Sequence, residues 1–136
     1  MQERDVKIAL ENYHYFLSSI ESTQWKLDEL NCRRFKSGGS IAKAPENPVD
    51  RQTVMIDNLA KLEELTKAMD FYQHNVHLAQ AFMSTLRDGD HKDLSMCRDK
   101  FIRRKSVEWI SMNYCMDRKT VWRRIRYLIL KYIEQT

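Results

Sequence analysis

The chain has 136 residues and a net charge of +4, with 31% charged and 43% hydrophobic residues. This balance is ordinary for a folded chain, and no apolar run is long enough to cross a bilayer, so we expect no contact with membranes. The charged first residues lead into no continuous apolar stretch, which predicts no secretory signal. Three distant cysteines without a CxxC pair predict free thiols and a cytoplasmic location, and do not support a zinc site.

Glycine and proline are scarce and clustered. Three Gly and two Pro occur, and all but Gly89 lie between residues 38 and 48. An all-β fold would need turn residues every few positions. We therefore predict an all-α fold class, with a long antiparallel helical hairpin followed by a C-terminal three-helix domain.

The first predicted element is a helix over residues 3–35. Its apolar residues follow steps of three, four and seven, the heptad pattern of a helix that lies against one other helix. The seam consists of Val6, Leu10, Tyr13, Leu17, Ile20 and Leu27, and Phe16 and Leu30 widen it.

Gly, Ser and Pro residues then predict a flexible loop over residues 36–49. A second helix follows over 50–87, with Asp50 as its N-cap. Its seam consists of Leu62, Leu65, Met69, Tyr72, Val76, Ala79, Met83 and Leu86. Two long helices joined by one loop are expected to form an antiparallel hairpin. Because both seams are narrow, either the C-terminal helices or another subunit must cover them, and we favour a homo-oligomer.

The turn Asp88-Gly89-Asp90 marks a domain boundary. We predict that residues 1–88 form the hairpin, for oligomerisation or interaction, and that residues 89–136 form a separate domain. Three shorter helices are expected there. The first has Leu94, Cys97, Phe101 and Ile102 on one face, the second covers residues 106–113, and the third covers residues 117–133.

Charge is segregated along the chain. Residues 1–91 contain eleven Lys and Arg against fourteen Asp and Glu, whereas residues 92–136 contain twelve against five. A basic end of this kind favours a polyanionic partner, and nucleic acid is the commonest one. A solvated basic face is the alternative that charge alone leaves open.

Residues 106–125 match the physical requirements of a helix-turn-helix. Ser106 and Asp117 can cap the two helices, while Ser111 is small where the helices cross and Cys115 is small in the tight turn. The inner faces consist of Val107, Ile110 and Tyr114 on one helix, Met116 in the turn, and Val121, Ile125 and Leu128 or Ile129 on the other.

The opposite face of the last helix is basic. We predict that its base-reading residues are Arg118, Lys119, Trp122, Arg123 and Arg126, because the N-terminal part of such a helix meets the base edges. The basic turn Arg103-Arg104-Lys105 is expected to contact the phosphate backbone. Trp122 is ambiguous, since it could contact DNA or pack against the hairpin.

The stretch from Ile110 to Val121 resembles the C-terminal helix-turn-helix of sigma factor region 4. Ser111 stands at that family's small Ala position, Cys115 at its Gly position and Asp117 at its Ser cap. The resemblance implies that Arg124 binds the DNA backbone, and we count Thr120 with it. Tyr114 and Cys115 depart from the family's Leu and Gly, and a positive φ at residue 115 would cost a Cys more than a Gly.

The layout of the whole chain is similar to phage late-operon regulators of the RinA/ArpU kind. That resemblance implies a sequence-specific DNA-binding transcription regulator, an activator of phage late genes that binds double-stranded DNA in the host cytoplasm. The alternatives are a phage terminase small subunit and a protein-interaction module that contacts RNA polymerase.

No catalytic pairing, phosphate loop or nucleophile motif is present, so we do not expect an enzyme or a cofactor. His74 and His77 lie three residues apart on the second helix without a third ligand. We therefore interpret them as surface histidines and predict no metal site.

Overall fold

A computed structural model describes the backbone of residues 1–39 and 48–136 and the side chains of residues 1–32 and 54–136. Within these residues the chain is all-helical and contains no strand. The helices are α1 (Glu3–Glu11), α2 (Tyr13–Gly39), α3 (Pro48–Arg87), α4 (His91–Cys97), a π-helix (Arg98–Ile102), α5 (Val107–Asn113) and α6 (Arg118–Gln135). The predicted all-α fold class is confirmed.

The predicted helix over residues 3–35 is interrupted at Asn12. The Asn12 side chain donates to the Ile8 carbonyl at 3.0 Å, to which the Asn12 amide also donates at 3.1 Å. Asparagine competes with helical hydrogen bonding in this way and favours helix ends. Beyond this interruption Phe16 is buried, whereas Leu17, which the seam placed inside, is exposed.

The predicted loop is shorter than expected at both ends. Helix α2 continues to Gly39 and α3 begins at Pro48, while residues 40–47 lie outside the described residues. Asp50 is therefore not an N-cap, because it lies inside α3. Proline suits the first turn of a helix, where its missing N–H has no partner to lose.

Helix α3 follows its predicted seam in its C-terminal half. Met69, Val76, Ala79 and Leu86 are buried as expected. Phe82, which the seam omits, is fully buried and packs edge-to-face on Tyr132 of α6, with 5.6 Å between ring centroids.

Helices α5 and α6 begin and end within two residues of the ranges predicted for the second and third C-terminal helices, and the first, for which no bounds were predicted, is formed by α4 and the π-helix. Asp90 caps α4 by accepting from the Lys92 amide at 3.1 Å, and α4 leads directly into the π-helix. A π-helix has more residues per turn than an α-helix, so it shifts the side chains that follow. Phe101 is buried as predicted, but Ile102 is exposed, and its predicted place on the buried face was wrong.

The chain divides into two compact units, Met1–Phe16 with His74–Thr136, and Leu17–Gln73. The first unit contains one continuous core, which includes residues of α1, α3, α4, the π-helix, α5 and α6. Helix α1 contacts α6, and Val6 and Leu10 share this core with Ile125 and Ile129. This division differs from the predicted boundary at residues 88 and 89, because hydrophobic packing joins both ends of the predicted hairpin to the C-terminal helices.

The second unit buries few of its described side chains. Thr23, Leu30 and Met69 are buried. The large Trp25 side chain is 69% exposed. The antiparallel pairing of the two long helices stays a prediction.

Candidate nucleic-acid interface

Helices α5 and α6 are joined by a tight connection over residues 114–117. The Ser106 hydroxyl caps α5 by accepting from the Trp109 amide at 3.1 Å. The Ser111 hydroxyl donates to the Met116 carbonyl, and the Met116 amide donates back to the Ser111 carbonyl at 3.0 Å. These bonds across the turn fix the direction in which α6 begins.

Cys115 has the left-handed backbone that such a turn requires, with a φ of 52°. The side chain is exposed. A non-glycine residue is strained there, since its Cβ lies too close to the backbone carbonyl. The left-handed backbone expected at the family's Gly position is therefore present at residue 115, although the residue is cysteine.

The apolar faces of both helices turn toward the core as predicted. Ile110, Val121 and Ile125 are buried, and so are both Leu128 and Ile129, between which the sequence did not decide. Asp117 precedes α6 in extended conformation and accepts from the Arg118 amide at 3.1 Å. The core thus fixes which face of α6 remains outside.

Two buried carboxylates that the sequence analysis did not single out attach α4 and the π-helix to this unit. Asp93 accepts two hydrogen bonds from the Arg124 guanidinium, at 2.9 and 2.6 Å. Asp99 accepts from the Tyr114 hydroxyl at 2.6 Å and from Arg103 at 2.7 Å. The sequence signal that could have identified these two carboxylates is an acidic residue at a buried position of a helix within a basic segment.

The pKa values of two partner groups reflect these contacts. Hydrogen bonding to Asp93 raises the pKa of Arg124 above its ordinary value. Burial raises the pKa of the Tyr114 hydroxyl, and its hydrogen bond to Asp99 raises it further. Both groups therefore keep their protons and donate permanently to the carboxylates near neutral pH.

Two of the predicted base-reading residues are exposed to solvent and form no ion pair within the described residues. Lys119 and Arg123 are exposed on the first two turns of α6 and have no ion-pair partner among the described residues. Arg118 pairs with Glu108 of α5 at 2.7 Å, but the two side chains are 63% and 65% exposed. Such a surface pair is worth only ~0–1 kcal/mol, so an anion can replace Glu108 as the partner of Arg118.

The other two predicted base-reading residues face α1. Arg126 donates to Glu3 at 3.0 Å. Trp122 lines a hollow of 230 Å³ with Lys7 and Phe101 and remains 41% exposed. Two ammonium groups lie near its ring, Lys100 at 5.4 Å and Lys7 at 5.9 Å from the centroid. Trp122 therefore both borders α1 and reaches solvent beside two lysines.

The predicted backbone-contacting residues lie in different settings. Arg104 is exposed with a φ of 56°, and Lys105 is exposed with its ammonium 5.0 Å from the Trp109 ring centroid. Arg103 is exposed but anchored to Asp99, and Thr120 is exposed on α6. Arg124 is half-buried, and its ion pair with Asp93 occupies two of its donors.

No family model, curated protein or solved structure matches this chain. The resemblance to sigma factor region 4 and to the phage regulators therefore stays a prediction that rests on the residues quoted for it. Within the described part of the chain, no helix is long and apolar enough to span a bilayer. No group of three or more His, Cys, Asp or Glu residues there could hold a metal ion.

Proposed function

We propose that this chain is a sequence-specific DNA-binding transcription regulator that inserts the N-terminal half of α6 into the major groove. The observation that carries the proposal is that Lys119 and Arg123 are exposed and have no ion-pair partner within the part of the chain that the structure describes. They lie on a helix whose direction is fixed by a hydrogen-bonded turn. Arginine suits bidentate hydrogen bonding to guanine, worth ~1–3 kcal/mol of discrimination per contact.

The basic turn Arg103-Arg104-Lys105 supplies the phosphate contacts in this proposal. It follows the π-helix and precedes α5. The Asp99 carboxylate accepts from the Arg103 side chain, and the Asp99 main-chain carbonyl accepts from the Lys105 amide, so this residue holds the turn at two points. Phosphate contacts set the register of a protein on the duplex without reading sequence. We assign Arg124 a structural role instead, because Asp93 already occupies its guanidinium.

The biological setting follows from the resemblance and is proposed with it. The protein would act in the host cytoplasm as an activator of phage late genes, as a homo-oligomer. A terminase small subunit and a module that contacts RNA polymerase are the competing functions, and they predict a many-subunit ring and salt-insensitive protein binding respectively.

Binding to a duplex selected from a random pool, compared with a scrambled duplex by fluorescence anisotropy, tests the proposal. Arg123→Ala is expected to weaken binding to the selected duplex by about tenfold or more, and binding to the scrambled duplex much less. Arg104→Ala should weaken both equally and lower the slope of log affinity against log salt by about 1. Lys131→Ala is the matched control, because it removes one exposed charge from the far end of the same helix.

Equal losses on both duplexes for Arg123→Ala would remove its base-reading role. Salt-independent binding, or no binding to any duplex, would overturn DNA recognition and favour a protein partner.

A further inference from the structure

A hollow of 370 Å³ lies in the first unit, bordered by α1, the first residue of α2, the end of α3 and the π-helix. Its volume lies within the range of about 300–1,000 Å³ typical of small-ligand sites. Leu10 and Phe101 in its lining are buried, and Met83 is half-buried. The inner part of the hollow is therefore apolar.

The lining also contains two arginines, Arg87 in the last turn of α3 and Arg98 at the start of the π-helix, beside the polar side chains of Tyr13, Gln80 and Ser84. Both are exposed, and neither has an ion-pair partner among the described residues. Guanidinium groups bind carboxylates through two parallel hydrogen bonds. The hollow thus combines an apolar interior with two cations that have no counter-charge of their own.

The π-helix contributes Arg98, Phe101 and Ile102 to this lining. π-Helical turns are rare and concentrate at functional sites. Arg98, Phe101 and Ile102 are spaced i, i+3 and i+4, so one face of this turn presents a cation and two apolar side chains to the hollow. None of the described lining residues belongs to α6, so this site is separate from the proposed DNA-contacting surface.

We propose that this hollow binds a small amphiphilic carboxylate. A short acyl chain would contact Leu10, Met83 and Phe101, and its carboxylate would pair with Arg87 and Arg98. Burial of the chain provides affinity, and the two arginines select an anion over a neutral molecule of the same length.

Octanoate titrated into the full chain tests this proposal, with ¹³C-methyl methionine spectra as the readout. The Met83 signal, assigned with Met83→Leu, should move saturably, while the signal of the exposed Met112 on α5 stays in place. Octanol should bind at least tenfold more weakly because it lacks the charge, and butyrate should bind more weakly because it buries less apolar surface.

Three variants locate the site. Arg87→Gln and Arg98→Gln should each weaken octanoate binding about tenfold. Ser84→Trp places a large ring in the hollow from an exposed position and should abolish binding. Arg123→Gln is the matched control, because it removes a charge elsewhere and should leave octanoate binding unchanged while weakening DNA binding.

The proposal is overturned if octanol binds as tightly as octanoate, if Met112 shifts as much as Met83, or if both arginine variants bind octanoate normally. Circular dichroism checks each variant for folding, and the two surface arginines decide the result if Ser84→Trp unfolds.

Discussion

Cys115 occupies a turn position that demands a backbone conformation its side chain disfavours. Its φ of 52° lies in the left-handed region, where an L-residue other than glycine pays about 1–2 kcal/mol. The turn nevertheless forms, because Ser111 and Met116 form hydrogen bonds across it and one face of each flanking helix packs in the core. The strain at Cys115 is therefore imposed by its surroundings.

Replacing Cys115 with glycine should stabilise the fold by about 0.5–1 kcal/mol, since relief of the strained φ outweighs the added freedom of the unfolded chain. Urea denaturation measures the change. The matched control is Cys32→Gly, the same substitution at an exposed site inside helix α2, which should destabilise by about 1 kcal/mol. Destabilisation by both variants would contradict a strained turn at Cys115.

Cys97, unlike the exposed Cys115, is fully buried in the core. Burial, together with the nearby Asp93 carboxylate, raises the pKa of its thiol from 9.0 to about 12. The protonated thiol is therefore the form that the fold stabilises. Cys32 and Cys115 are exposed, so we expect a thiol reagent to modify these two quickly and Cys97 only on unfolding.

The raised pKa of Cys97 also predicts a dependence of stability on pH. The unfolded chain releases this proton near pH 9 and the folded chain only near pH 12, so the contribution is complete below pH 9 and is lost as pH rises between these values. Urea denaturation from pH 8 to 11 should show a steeper loss of stability for the wild type than for Cys97→Ala. Parallel curves for the two proteins would show that the thiol is not linked to folding.

At the scale of elements, α4 and α6 are joined by a pair of charged groups as well as by apolar packing. Asp93 of α4 is nearly buried, and its two bonds to Arg124 of α6 connect residues that lie 31 positions apart. Arg124 keeps contact with solvent, so the pair is less costly to break than one sealed in a core. This contact helps to fix the angle at which α6 is presented.

Asp93→Ala should destabilise the fold by about 1–3 kcal/mol, because the charge-assisted bonds are lost and Arg124 must turn to solvent. Chemical denaturation provides the measurement. Glu108→Ala is the matched control, since it breaks an ion pair of similar length whose side chains are both exposed, and it should change stability by less than about 0.5 kcal/mol. Equal effects would mean that the Asp93 pair contributes no more than a surface contact.

At the scale of the whole molecule, four exposed apolar side chains lie close together along the N-terminal part of α3. Val54, Met55, Ile56 and Leu59 are each more than half exposed, and Ile56 and Leu59 line an open hollow of 710 Å³. Contiguous exposed apolar surface marks interaction sites. This surface supports the proposed homo-oligomer, which would bury it between copies of the chain.

Ile56→Ser combined with Leu59→Ser should reduce self-association, measured by sedimentation equilibrium over a range of concentrations, by about tenfold or more in the dissociation constant. The exposed apolar residue Tyr127 of the first unit provides the control, since Tyr127→Ser should leave self-association unchanged. A wild-type chain that is monomeric at all concentrations would contradict the homo-oligomer.

The sequence by itself determined the helical class and most of the local structure of the candidate interface. The scarcity of Gly and Pro argued against an all-β fold, and the capping residues Ser106 and Asp117 marked where α5 and α6 begin. The apolar period placed Ile110, Val121 and Ile125 inside and therefore Lys119 and Arg123 outside. These features depend on hydrogen bonding and on periodicity over a few neighbouring residues. The sequence of a single segment is therefore enough to predict them.

Only the tertiary structure decided which distant groups meet. It brought Val6 and Leu10 into the core of the C-terminal helices, paired Asp93 with Arg124, and placed Lys7 beside Trp122. It also left Leu17 and Ile102 at the surface, although the apolar period placed both of them inside. Contacts of this kind depend on how separate segments pack. An amphipathic pattern predicts that one face of a helix is buried, but it does not predict which segment covers that face.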